Sequence, residues 1–229
     1  MLAAAGWALV AASSLIIGAF VAQTFTVSPR RVGEAMAFGV GALIGALAYE
    51  LVPNESISDL EIWISFGAGA LVFYVIDGII ERRGSGSSSG TAIALGALLD
   101  GIPESIVLGI SLALGGSVSV GFLVAVFVSN VPEGLSATSD MRSHTSAGRL
   151  YRMWGAIAAV SAVAGGLGYA FAHWLPGTDG RDIQAFAGGA VLTMLAGSMM
   201  PEAYEEGGRR VALFTALGFA IAAILTTLD

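Results

Sequence analysis

Apolar residues run in long, nearly unbroken blocks along the chain, at 2–25, 32–52, 61–80, 91–113, 117–139, 153–175, 183–203 and 209–228. Each block is close to the roughly 20 residues that an α-helix needs to cross a bilayer. The breaks carry turn chemistry: Ser28-Pro29-Arg30-Arg31, Pro53-Asn54-Glu55, Gly84-Ser85-Gly86, Gly115-Gly116 and Pro176-Gly177-Thr178-Asp179. The pattern predicts an all-α integral membrane protein of eight transmembrane helices. The first block has neither a positive n-region nor a small-x-small cleavage site, so it is expected to stay as a span.

Composition sharpens this picture. The 229 residues are 55% hydrophobic and only 12% charged, about half the charged share of a soluble domain. Such a chain cannot cover its surface with polar groups, and lipid is its natural solvent. Cysteine is absent, which removes disulfides and thiolate ligands from consideration. A net charge of −7 with no basic run argues against nucleic acid as a partner. Placing the N-terminus outside puts Arg30, Arg31, Arg82, Arg83, Arg142, Arg149, Arg152, Arg209 and Arg210 inside. Only Arg181 then falls outside, so the positive-inside rule predicts a multi-pass plasma-membrane protein with both termini outside. The outer loops hold Glu55, Asp59, Glu61, Asp179 and Asp182, an acidic mouth that would concentrate cations.

The blocks also repeat. Ala37-Phe38-Gly39-Val40-Gly41 aligns without a gap on Ala185-Phe186-Ala187-Gly188-Gly189, and the register carries Pro53 onto Pro201. Helices two and seven stand five places apart in order, so they cross in opposite senses. Asp100-Gly101-Ile102-Pro103-Glu104-Ser105 likewise lies over Ser129-Asn130-Val131-Pro132-Glu133-Gly134 in consecutive helices four and five. The chain reads as one transmembrane domain in a 3+2+3 inverted repeat. Helices one to three lie at 1–83, the central pair at 91–140, and helices six to eight at 150–229. Inverted repeats with interrupted helices are a transporter signature.

The chemistry sits in the central pair. Asp100 with Glu104, and Ser129 with Glu133, are four residues apart and share a helix face. A carboxylate at bilayer depth costs about 2.5–3.5 kcal/mol on insertion scales. Three together repel unless they are protonated or bridged by a cation, and no intramembrane lysine or arginine stands ready to pair with them. Pro103 and Pro132 cannot donate to the carbonyls of Leu99 and Val128, which are expected beside the polar cluster. Oxygen ligands of this kind suit hard or borderline divalent ions. The blander alternative is a pair of protonated acids hydrogen-bonded between helices. Glu50, its repeat counterparts Ser198 and Glu202, and Asp77, toward helix ends, are candidates for cation access and release, or the acids simply reach the interface. His144 and His173 are expected at the surface.

These features resemble the ZIP family of divalent metal transporters, over essentially the whole chain. That family has eight helices in a three-two-three inverted arrangement with both termini outside. Helices four and five each carry a motif of the form His-Asn-x-Pro-Glu-Gly, matched here by Asp100 to Ser105 and Ser129 to Gly134. Asp100 stands where the family usually has histidine, Gly101 where it often has asparagine, and Ser129 where it has histidine or glutamine. Helix six carries no acid for a second metal position. The resemblance implies a single metal site of Asp100, Glu104, Asn130 and Glu133, assisted by Ser129. Zinc is the implied cargo, with iron or manganese as the other divalent substrates, and no organic cofactor.

The expected function is movement of divalent metal toward the cytoplasm through a midplane carboxylate site, not enzymatic catalysis. One competing reading is a non-transporting membrane metal sensor. Another is an intramembrane hydrolase, for which no histidine-assisted nucleophile or Gly-x-Gly-Asp setting is present. Gly165-Gly166 and Gly188-Gly189 allow close helix packing, within one subunit or between two in a homodimer.

Overall fold

The computed structural model describes residues 1–51, 59–84, 89–115, 117–174 and 180–225. Among the described residues the backbone is helix and turn, without strand. Helix α1 spans Leu2–Thr24, and α2 spans Pro29–Ala46 and continues into a π-helical turn, Leu47–Leu51. Then follow α3 (Leu60–Gly84), α4 (Ser89–Gly115), α5 (Val120–Met141) and α6 (Ala147–Trp174). Helix α7 (Arg181–Met194) runs into a second π-helical turn, Leu195–Met199, and α8 (Met200–Gly207). A 3-10 turn, Gly208–Arg210, leads to α9 (Val211–Leu225).

Local sequence explains several boundaries. Pro29 opens α2, where its missing N–H costs nothing. Ser119 caps α5 by accepting a hydrogen bond from the Phe122 N–H at 3.0 Å. Arg142 donates to the Ala22 carbonyl at 2.6 Å, which satisfies the frayed end of α1.

Seven stretches are long and apolar enough to cross a membrane, where the sequence pattern predicts eight. The difference lies in Arg181–Leu225, a single 45-residue run of helical residues where two separate spans were expected. At 1.5 Å per residue a straight helix of that length would reach about 68 Å, twice a hydrocarbon core of about 30 Å. It is not straight. Gly208 has φ 61° and ψ −151°, a conformation for which glycine is suited, and the chain turns there. Gly33 at the start of α2 abuts Ala203 and Gly207 of α8, and farther along α2 Gly41 abuts Thr215 and Gly45 abuts Phe219. Helix α9 therefore runs along α2 in the same direction, away from the turn that ends α8.

The packing has a regular plan. Helix α1 packs on α5 and α6, and α6 packs on α4, forming a central group of four. To one side α2 lies on α5, α8 and α9; to the other α7 lies on α3 and α4. The two flanks interlock in the same way. Gly41 lies over the Thr215 carbonyl while Gly218 lies over that of Phe38. Gly189 lies over the Phe66 carbonyl while Gly69 lies over that of Phe186. Gly165 is likewise in use within the subunit, against Ala8 of α1 and Ser105 of α4.

The exterior is apolar. Leu71, Val72, Tyr74 and Val75 of α3, Val163, Leu167 and Phe171 of α6, and Leu213 and Ile224 of α9 are exposed. An outward-facing hydrophobic surface of this extent fits a protein embedded in lipid. Arg142 at Ala22, and Glu34 joined to Arg30 at 3.3 Å and Arg210 at 3.7 Å, gather basic residues at one end of the bundle. Arg181 pairs with Asp59 at 3.6 Å where α3 and α7 begin.

Candidate cation site

Helix α4 divides its surface by periodicity. Leu99, Ile102, Pro103, Ile106 and Ile110 form a stripe that lines an apolar cleft of about 580 Å³ between α3, α4, α6 and α7. Asp100 and Glu104 lie off that stripe and are buried, Glu104 at 1% exposure. Helix α5 follows the same scheme. Val128, Val131 and Pro132 line a second cleft, of about 630 Å³, while Ser129, Asn130 and Glu133 are buried in the bundle. Leu99 and Val128, the residues four before each proline, lie on these cleft-lining stripes.

The polar groups divide into satisfied and unsatisfied. Ser129 donates to the Val126 carbonyl at 2.9 Å, and Asn130 reaches the Ala11 carbonyl of α1 at 3.5 Å. Their remaining oxygen lone pairs stay available for a ligand. Asp100 Oδ1 lies 3.1 Å from the Ser198 hydroxyl, whose single proton it shares with the Met194 carbonyl at 2.9 Å. Both carboxylate oxygens of Glu104, and Oε1 of Glu133, are buried without a hydrogen-bond partner. Buried carboxylate oxygens are rarely left so, because each forfeits its hydration without return. Asp100 lies within electrostatic range of Glu104 and Glu133, and of Asp77 and Glu202 as well. Among the described residues, however, no three Asp, Glu or His side chains stand close enough together to hold one metal ion. A cation bound by this set would have to draw α4 and α5 side chains inward.

Ser198 reaches Asp100 from the second π-helical turn, whose extra residue widens the helix next to Pro201. The first π-helical turn occupies the corresponding place in α2, and Glu50 holds the position there that Ser198 holds in α7. The Glu50 side chain lies outside the described residues. Toward the arginine-rich end, Ser136 lies one turn beyond Glu133 and is 3.1 Å from Glu202 and 3.3 Å from Glu206. Its single hydroxyl proton serves one of them at a time. His144 and His173 are exposed, the latter stacked on Tyr169.

Three polar residues escaped the sequence reading as site members: Ser136, Ser161 and Glu206. Ser161 is fully buried on α6, its hydroxyl lacks a partner, and it faces Gly101 beside Asp100. Ser198 is legible in the sequence through its alignment with Glu50 in the repeat.

No family model matches the chain, and a search of characterised proteins returns no match.

Proposed function

We propose that this protein carries divalent metal cations across the membrane through the carboxylates of α4 and α5. The observation that carries the reading is the set of buried, unpartnered oxygens on Glu104 and Glu133, in helices of membrane-spanning length. Among the described residues no arginine pairs with either glutamate, and a divalent cation would offset both charges at once. Glu104 and Glu133 would be the principal ligands, Asp100 the third, and Asn130 and Ser129 neutral oxygen donors. Ser198 would orient Asp100. Zinc is the leading cargo on the family resemblance, with iron and manganese suited to the same oxygens.

The proposed topology has eight crossings, since α8 and α9 meet at a reversal, with both termini outside and the arginine-rich end in the cytoplasm. The equivalent interlocking of α2 with α9 and α7 with α3 supports a 3+2+3 inverted repeat. Motion of the flanking helices against the central four would open the site alternately to each side. The cation would approach past Glu50 and leave past Asp77, Ser136 and Glu202 toward the cytosol.

Uptake into proteoliposomes, with zinc, manganese, iron, cobalt and cadmium in turn, tests this directly. Saturable flux of at least one metal is expected. Saturable binding without flux would instead establish the sensor reading, and neither binding nor flux would overturn both.

A further inference from the structure

The two clefts that flank the central helices differ at their ends. The cleft beside α4 is apolar throughout its lining. Its counterpart between α2, α5 and α9 is lined by Phe38, Phe127, Val128, Val131, Phe214 and Leu217, but it ends at Arg31 and Glu34. Close by, Arg30, Arg209 and Arg210 line a third recess of about 820 Å³, with Gly207 and Gly208 in its wall. Four arginines thus gather where α2 begins and α8 turns into α9.

Their charge is not neutralised locally. Glu34 is shared by Arg30 and Arg210, at 3.3 and 3.7 Å. Arg31 and Arg209 are exposed and have no ion-pair partner among the described residues. The start of α2 adds the positive end of its helix dipole. In a chain of net charge −7 this concentration stands out. Arginines at a cytoplasmic boundary can serve only to fix topology. That reading gives no reason for an apolar cleft of about 630 Å³, within the range of ligand pockets, to run from them along α5.

We propose that this cleft binds an anionic phospholipid, its phosphate drawn by Arg31 at the cleft's end and by the field of the neighbouring recess that holds Arg209, with one acyl chain lying against Phe38, Phe127 and Phe214. Basic pockets between transmembrane helices recognise such headgroups, and each arginine near the surface contributes appreciably. The acyl chain would touch Val131 and Pro132, immediate neighbours of Glu133, so the lipid would bear on the helix that carries the candidate cation site. The proposal rests on membrane embedding alone and stands whether or not the protein moves metal.

The test is lipid binding to the full-length protein in detergent, read by native mass spectrometry. The probes are phosphatidylglycerol and phosphatidylcholine with identical acyl chains, and glycerol phosphate without any. Phosphatidylglycerol is expected to bind tightest, with glycerol phosphate far weaker. The double variant Arg31→Gln/Arg209→Gln should lose affinity by about fivefold per arginine, while Arg152→Gln on exposed α6 leaves it unchanged. Val128→Trp, which fills the cleft, should reduce binding in protein that still elutes as a monodisperse species. Equal binding of the two lipids would overturn the proposal in favour of an acyl groove blind to the headgroup, and an equal loss in Arg152→Gln would overturn it in favour of general surface charge. Glycerol phosphate binding as tightly as phosphatidylglycerol would overturn it in favour of a phosphate site without a lipid seat.

Discussion

In α4 the residue one turn before the motif glutamate is Asp100, which accepts a hydrogen bond from Ser198 of the second π-helical turn at 3.1 Å. In α5 that place belongs to Ser129, whose hydroxyl turns back to its own helix at Val126, 2.9 Å away. The matching residue in the first π-helical turn is Glu50. Acid and hydroxyl have exchanged places between the two aligned pairs of sequence stretches. The supporting framework has not changed: each flank interlocks through a reciprocal glycine pair, and each motif helix turns its proline to a cleft. Close packing tolerates little drift, because any side chain at Gly41 or Gly189 would collide with a carbonyl oxygen. The proposed ligand positions differ between the two motif helices in acid and hydroxyl, not in burial: Asp100 and Ser129 are both buried.

Removing the element that both halves retain should have the largest effect. Glu104→Gln and Glu133→Gln are each expected to weaken metal binding by at least about a hundredfold, above the 10–100-fold typical of outer-shell partners. Isothermal titration in detergent would read this, and near-equal losses in the two variants would support equal roles.

Next come the interlocking glycines. Gly41→Ala and Gly189→Ala force a Cβ onto the Thr215 and Phe66 carbonyls, and each should cost about 1–3 kcal/mol of stability. Gly197→Ala meets no neighbouring atom within 4 Å and should leave the melting temperature unchanged or slightly higher. Thermal unfolding in detergent distinguishes them; similar shifts at all three sites would break the account of the framework.

The exchanged positions should separate the halves. Ser198→Ala removes the hydroxyl that donates to Asp100, and hydrogen bonds to charged groups contribute about 1.5–3 kcal/mol. Metal affinity should fall roughly tenfold or more. Ser129→Ala should cost less, about threefold, since that hydroxyl already bonds within its helix. The smallest effect belongs to Ser136→Ala, about twofold on uptake rate with binding intact, because Glu202 and Glu206 keep their place along the proposed release path.

Much of this architecture can be read from the order of residues. The block at 2–25 appears as Leu2–Thr24 and that at 61–80 within Leu60–Gly84, because unbroken apolar runs admit few alternatives in lipid. The motif residues Asp100, Glu104, Ser129, Asn130 and Glu133 stood out because acids and amides are costly there. The 45 residues Arg181–Leu225 did not resolve so cleanly. Hydropathy dips at 204–208, yet helical hydrogen bonding persists to Gly207, and the reversal depends on the backbone conformation of one glycine. Serines were the other blind spot. A hydroxyl in an apolar helix normally bonds its own backbone, as Ser14 and Ser129 do. Only tertiary placement distinguishes Ser136, which reaches acids on another helix.

The most direct test of the central claim is zinc uptake into proteoliposomes, compared for wild type, Glu104→Ala, Glu133→Ala and Gly197→Ala reconstituted at equal density. The account predicts saturable uptake in wild type and Gly197→Ala and none above empty liposomes in the two glutamate variants. Undiminished uptake in both glutamate variants would contradict it.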